Sequence, residues 1–533
     1  MASYFLAHQS AFLASEVVVT LGLFSGLFLP LSRLREAKRG PTPTHLAVVG
    51  AALMVACALG WWTTGWSFRV ASGSLWWVVD VAVGLVTWKG CTAGLDPRIP
   101  RRPQVLRRLG FVAAAVLALW SPWCLPLWLA LAVGPFGLWT HHVHSALRLV
   151  AVAICWLLTS ALARGLLGEA ATTTLRAAGG AALLLVLLAP LLSQYFSAAM
   201  GKLRLGPRPW SWILECRFDL YTAAAYLWGF WRNRRPELVA RSVSALRPFN
   251  WLLGLGTVAI ELSSIGALAT RWTLTAVLVA CIVLHLSIWL AAGVAFWESI
   301  VLNALLVLLV WQQPADLVHL AFGLVPLLVL AVVLLASAAV FVPFDPHWLA
   351  WWCTRVSQDI FYEVLVPDGS WRTVPNSMLT PFDRGFVQQR IQLRPGLSIV
   401  GAKGECFSYD AHQALLDFDG NPETYDALLD RLGQDQRDRG ELERQLDYLV
   451  ARFTATNRGD RLELLPSWLA WLRAPVALYN GSGPNPRYRR GLAVLALRIR
   501  SRDECFVDQS SSFVVLTDQV LVELPIPGAP ERR

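Results

Sequence analysis

Apolar residues run in long blocks through the first two thirds of the chain and alternate with polar ones in the last third. Blocks near twenty residues fall at 11–31, 45–66, 73–92, 109–137, 145–166, 177–200, 250–270, 272–294, 296–312 and 318–343. A helix of about twenty residues crosses the hydrocarbon layer of a bilayer with every backbone group bonded internally. The blocks therefore predict about nine or ten membrane spans, the one at 109–137 being interrupted by Pro122, Pro126 and Pro135. After "FVPFDPHWLAWWCTR" (341–355) no block of that length recurs. Instead, "DIFYEVLVPDGSWRTV", "GLSIVG", "GLAVLALRIR" and "SSFVVLTDQVLVELPI" predict strands parted by Gly, Pro and Asp turns. Between them, "NPETYDALLDRLGQDQRDRGELERQLDYLVARF" (421–453) predicts polar, amphipathic helix, with Leu428, Leu429, Leu432, Leu442, Leu446 and Leu449 near helical spacing. The expected architecture is a polytopic α-helical membrane domain over 1–344, then a soluble, β-rich α+β domain over 345–533.

Composition agrees with the pattern. Hydrophobic content of 55% against 15% charged residues excludes an ordinary soluble protein. The 26 Trp residues include "GWW" (60–62), "LWW" (75–77) and "AWW" (350–352) at block ends, where indole favours the membrane–water boundary. The N-terminus has no basic region ahead of its apolar stretch, so the first span is expected to stay in place. The net charge of +10 does not indicate nucleic-acid binding, because the arginines cluster between spans, at "SRLREAKRG" (32–40) and "PRIPRRPQVLRR" (97–108). Short basic loops of this kind stay on the cytoplasmic side. The side of a third cluster, "WRNRRPELVARSVSALR" (231–247), depends on how the intervening segments cross. The preference for Arg over Lys and the high Ala, Leu and Val content point to a GC-rich bacterial genome, hence a plasma membrane in which menaquinone is the available quinone.

Nine Cys show no CxxC pair or metal-ligand spacing. Cys57, Cys124, Cys155 and Cys281 lie in apolar blocks as small core residues; Cys406 and Cys505 can pair if the soluble domain faces an oxidising compartment. The chain carries no Walker loop, dinucleotide glycine motif, HExxH or GxSxG elbow. Ionisable residues within spans are costly and call for partners or a function. They are Glu16, Asp80, Arg148, Arg164, Glu261, His285 and Glu298, with His141, His142 and His144 at the head of one span and Lys202 at the end of another. The three histidines lack acidic or sulfur partners at ligand spacing, so no metal is expected. Lys202 stands out because only four of the 46 basic residues are Lys. Arginine cannot release its proton near neutral pH, whereas a desolvated lysine beside Tyr195, Phe196, Trp210 and Trp212 can act as a base.

The stretch Tyr195-Phe196-Ser197-Ala198-Ala199-Met200-Gly201-Lys202-Leu203 resembles the Tyr-Phe-x-Ala-Gly-x-x-Lys-Leu signature of the vitamin K-dependent γ-carboxylase family and its bacterial relatives, the HTTM (horizontally transferred transmembrane) proteins. Tyr195, Phe196, Ala198, Lys202 and Leu203 match, and Ala199 stands for the family glycine. Downstream, 258–309 resembles the family's next helical pair, with Glu261, His285 and Phe296 in the places of an acid, a histidine and an aromatic. Upstream, "LWTHHVHSALRL" (138–149) resembles the family's Asn-His-Ser motif; His144 and Ser145 match, and Val143 replaces the asparagine. The resemblance covers roughly 45–345 and is best over 138–312.

The resemblance implies an enzyme that couples oxidation of a reduced quinone by O₂, giving an epoxide, to carboxylation of a peptide Glu by CO₂. Reduced vitamin K or menaquinone would be the lipid-soluble cofactor. Lys202 and His144 would be catalytic, while His285, Tyr195 and Glu261 would bind the quinone. The soluble domain would engage a peptide or protein substrate. Alternatives are a quinol-oxidising or peptide-maturation protein without carboxylase activity, and a non-enzymatic membrane receptor or immunity protein.

Overall fold

The computed structural model describes residues 9–24, 73–133, 144–167, 176–231, 234–340, 350–379, 386, 389–401, 404–475, 483–508 and 510–528. The helical part begins with α1 (Gln9–Phe24), α2 (Trp77–Thr92), α3 (Arg101–Trp120), α4 (Leu125–Val133) and α5 (His144–Leu167). Then come α6 (Arg176–Arg204), α7 (Ser211–Glu215), α8 (Leu220–Leu227), α9 (Pro236–Leu246) and α10 (Asn250–Leu262). It closes with α11 (Arg271–Ala292), α12 (Trp297–Trp311), α13 (Ala315–Ala321) and α14 (Leu324–Val340).

Among the described residues, five helical stretches are long and apolar enough to cross a membrane: Arg101–Trp120, Ser145–Leu166, Ala177–Arg204, Pro236–Gly266 and Arg271–Ala292. The pair α13 and α14 makes a sixth if its 50° bend is counted as one broken span. Shorter apolar helices are Gln9–Phe24, Pro122–Val133 and Trp297–Trp311, and the block 45–66 lies outside the described residues. The block 109–137 divides at Ser121 and Pro122, where proline has no N–H to continue the helical ladder of α3. The bend between α13 and α14 falls at Gly323, whose φ of 116° suits only glycine.

The 29-residue α6 is the axis of the bundle, and Ala181 to Leu192 along it are all buried, including Pro190, a residue that kinks helices. Its first turns are small (Ala177, Ala178, Gly179, Gly180), which lets neighbours approach closely. A Cβ on Gly180 would lie 2.6 Å from Leu317 of α13. The outward faces are apolar too: Leu109, Val112 and Val116 of α3, Val279, Val283 and Leu290 of α11, and Leu328, Val332 and Leu335 of α14 are exposed. Water would penalise that surface, whereas lipid would cover it at no such cost.

The C-terminal region is β-containing, with α-helices packed around the sheets. Strands β1 (Trp352–Cys353), β2 (Val356–Leu365), β3 (Trp371–Thr373), β4 (Glu405–Cys406), β5 (Ala496–Val507) and β6 (Ser512–Pro525) form a four-stranded antiparallel sheet in the order β3-β2-β5-β6 and a separate β1-β4 pair. Ile360, Tyr362 and Val364 of β2 pack with Leu497 and Ile499 of β5 against Leu449 and Phe453. Two expectations are corrected. The segment "GLSIVG" is not a strand, because the Ile399 and Val400 amides donate to the Gln358 side-chain oxygen (2.8 and 3.2 Å). The helix expected over 421–453 is two, Pro422–Leu432 and Arg439–Asn457, since Asp438 caps a new start by accepting from the Gly440 and Glu441 amides. Cys406 and Cys505 are both free, buried thiols and do not pair.

This region is bolted to one end of the helical part. The Leu95 amide donates to the Leu462 carbonyl (2.7 Å) and Trp88 Nε1 to the Leu472 carbonyl (2.6 Å). Asp508, just beyond β5, receives Arg217 at 3.3 Å, Arg355 at 3.2 Å and Arg247 at 3.9 Å.

Candidate functional site

Lys202 lies in the last turn of α6 and is buried. The motif spacing explains what accompanies it. Tyr195, Ala198 and Lys202 recur at i, i+3 and i+7 and so share one stripe of α6. That stripe faces Glu261 in the last turn of α10. The Lys202 ammonium donates to Oε1 at 2.6 Å and Oε2 at 2.8 Å, and both side chains are 7% exposed. Trp212 of α7 stands 5.3 Å from Lys202 Nζ, its indole fixed by donation to the Trp351 carbonyl (2.8 Å). Trp210, also expected beside the lysine, is exposed.

The opposite wall comes from α11 and the turn after it. The His285 ring lies 5.3 Å from the Tyr195 ring and stacks on Phe296 at 4.8 Å. The tight turn that brings Phe296 back depends on Gly293, left-handed at φ 70°, where a Cβ would sit 2.4 Å from the Phe230 ring. Asn303 Nδ2 donates to the Tyr195 hydroxyl (2.9 Å) and sets its position.

These groups enclose a cavity of about 510 Å³, lined by Lys202, Glu261, Tyr195 and His285 together. That volume falls within the roughly 300–1,000 Å³ usual for small-molecule sites. One wall includes Leu252 and Leu253 of α10 and Val283 of α11, which are also exposed on the outer apolar face, so the cavity reaches the surface that lipid would cover. Another edge is formed by Trp351, Gly404 and Glu405 of the C-terminal region.

Four of the five expected site residues thus line one cavity. For the fifth, His144, only the backbone is described, as the first residue of α5; its side chain, Val143, His141 and His142 lie outside the described residues. The next residue, Ser145, donates to Gln194 Oε1 (3.0 Å), so the head of α5 is tied to the residue just before Tyr195. Of the other intramembrane ionisable residues, Glu16, Asp80, Arg148, Arg164 and Glu298 do not line the cavity. Glu16 accepts from Ser160 within the bundle.

Gln194 and Asn303 were not singled out by the sequence. Gln194 lines the cavity, is 8% exposed, and leaves Nε2 without a hydrogen-bond partner; His285 Nδ1 is likewise without one. Both amides interrupt apolar helices, a signal that a search confined to ionisable side chains passes over. Chemically, the cavity offers hydrogen-bond donors, flat aromatic walls and one lysine–glutamate pair. Such a pair can pass a proton between nitrogen and oxygen with no change of net charge, so a free amine can form without moving charge out of a dry site.

The C-terminal region holds α7, and with it Trp212. Tyr409 and Gln413 donate to Glu215 Oε2 (2.7 and 3.1 Å), and His412 Nε2 lies 3.4 Å from the Glu215 carbonyl with its ring stacked on Trp352 at 4.5 Å. Burial pushes the His412 imidazole down from its ordinary 6.5 to about 4. Between those values the unfolded chain binds a proton that the folded chain refuses, so stability falls as pH drops through that window, by about 3 kcal/mol at most. Melting curves at pH 7.5 and 5 are expected to separate more for the parent than for His412→Gln.

No family model matches the chain, and no curated protein or solved structure does so either.

Proposed function

We propose that the chain is a multi-pass membrane enzyme, crossing a bacterial plasma membrane about nine or ten times, that resembles the vitamin K-dependent γ-carboxylases and takes a reduced naphthoquinone into this cavity. The observation that carries the reading is the buried Lys202–Glu261 pair set across a single cavity from Tyr195 and His285. A reduced vitamin K or menaquinone bound there supplies, with O₂, the strong base needed to remove a γ-proton from a peptide Glu, to which CO₂ then adds.

The chain's own residues have the following tasks. Lys202 Nζ accepts the hydroxyl proton of the quinol, with Glu261 holding the proton that the amine must first give up. His285 Nδ1 and Gln194 Nε2 would hydrogen-bond the quinol oxygens, and Tyr195 and Phe296 would supply aromatic wall. His144 belongs to the same machinery through its motif. The exposed gap between α10 and α11 accommodates an apolar tail, while the edge at Gly404 and Glu405 gives a peptide access from the C-terminal region. The apolar walls limit the water that would quench the base.

The test is anaerobic incubation of purified protein with reduced vitamin K, followed by O₂, labelled bicarbonate and a Glu-containing peptide, with epoxide and fixed label followed separately. Both products are expected; absence of epoxide overturns the reading. Val143 in place of the family asparagine favours one second reading, quinol oxidation without carboxylation, and epoxide without fixed label would select it. Replacing Gln194 by Leu removes one hydrogen-bond donor worth about 1.5 kcal/mol. Quinol binding, followed by quenching of the cavity tryptophans, is expected to weaken by roughly tenfold.

A further inference from the structure

Residues 467–472, "SWLAWL", form a short 3₁₀ turn in which Trp468 is 72% and Trp471 75% exposed. With three residues per turn the two indoles lie on the same face. Leu472 beside them is also exposed. Two large indoles held in water on a soluble surface are costly unless something covers them.

The turn is fixed at a definable level of the molecule. Trp88 Nε1 donates to the Leu472 carbonyl (2.6 Å), the Ala474 amide to Thr92 Oγ1 (3.0 Å) and Lys89 Nζ to the Pro475 carbonyl (3.3 Å). All three helical partners belong to the last four or five residues of α2. The same level is marked on α3, because Arg108 donates to the Ala93 and Gly94 carbonyls that follow α2 (3.1 and 2.9 Å). Along α3 the exposed face changes there from charge, at Arg101, Arg102 and Arg107, to hydrocarbon, at Leu109, Val112 and Val116. The edge of the apolar belt therefore passes beside the Trp468–Trp471 turn.

We propose that this turn is a membrane-interface anchor, in which Trp468 and Trp471 enter the headgroup region of the bilayer next to α2 and hold the C-terminal region against the lipid surface. Indole suits that layer, with an apolar body and one N–H donor. The proposal is independent of any reaction in the cavity.

The test uses the full chain in phospholipid nanodiscs. Trp468→Cys and Trp471→Cys are spin-labelled one at a time, with Arg437→Cys, on the exposed loop between the helices Pro422–Leu432 and Arg439–Asn457, as the aqueous reference. The signal of the unsubstituted protein is subtracted. Both substituted tryptophans are exposed, so neither exchange opens a cavity in the fold. Labels at 468 and 471 are expected to relax more with lipid-soluble O₂ than with a water-soluble nickel chelate, and the label at 437 the reverse. Equal behaviour at all three positions overturns the anchor.

Discussion

Lys202→Arg is expected to give a folded protein that binds quinol but forms epoxide at least a hundredfold more slowly, the lower end of the range for loss of a general base. Arginine keeps the positive charge and can meet both oxygens of Glu261, so the buried acid stays paired. It cannot surrender a proton to make a free base. The change thus removes proton transfer while retaining the ion pair. Lys202→Ala is a poorer probe, because it strands Glu261 as an unpaired buried charge, at a cost of about 3–5 kcal/mol. Loss of activity in that variant would not distinguish chemistry from folding. Melting temperature, quinol binding and epoxide yield measured together on Lys202→Arg separate the possibilities. Parent-level epoxide would remove Lys202 from the role of base and leave the pair as a bolt between α6 and α10.

The second large effect lies in the C-terminal region. Asp503 of β5 is fully buried, where its carboxylate pairs with Arg394, accepts from the Tyr425 hydroxyl at 2.8 Å and from Gln358 Nε2 at 3.3 Å. Replacing Arg394 by Ala leaves that carboxylate with neutral donors alone, in a site that water does not reach. Removing one partner of a buried pair costs about 3–5 kcal/mol, which corresponds to a melting shift on the order of 10 °C for a unit of this size. Limited proteolysis of the full chain on heating is expected to show the C-terminal region cut first and at lower temperature in the variant. Arg394→Met combined with Asp503→Leu, which removes both charges, is expected to recover much of the loss. An Arg394→Ala protein melting within a degree or two of the parent would show the pair to be dispensable.

What could be read ahead of the structure divides by range. Contrast between apolar and polar residues located α5, α6 and α11 closely, because a helix of that length needs only local periodicity and an apolar surround. The strands β2, β5 and β6 were legible for the same reason. The break at Asp438 was not, since a side-chain cap competes with an apolar repeat that continues on both sides. Nor was the fate of Ile399 and Val400, whose amides are taken by Gln358, 41 and 42 residues away. In the cavity, the stripe of Tyr195, Ala198 and Lys202 follows from helical spacing alone. The meeting of Lys202 with Glu261, 59 residues later, depends on how α10 crosses α6. Sequence placed both in motifs without saying that they would touch. Gln194 became visible only when Ser145 was seen to hold one arm of its amide.

Asp508 has a consequence for geography. It gathers Arg217, Arg247 and Arg355, and the loop after α2 is fastened to the same region through Leu95. Two of the arginine-rich connections are therefore docked on the C-terminal region and cannot be separated from it by a bilayer. If these loops keep to the cytosol, as short basic loops do, the C-terminal region is committed to the cytosol as well. On the proposed function, a polypeptide entering by the edge at Glu405 would then be met on the cytosolic face of the membrane.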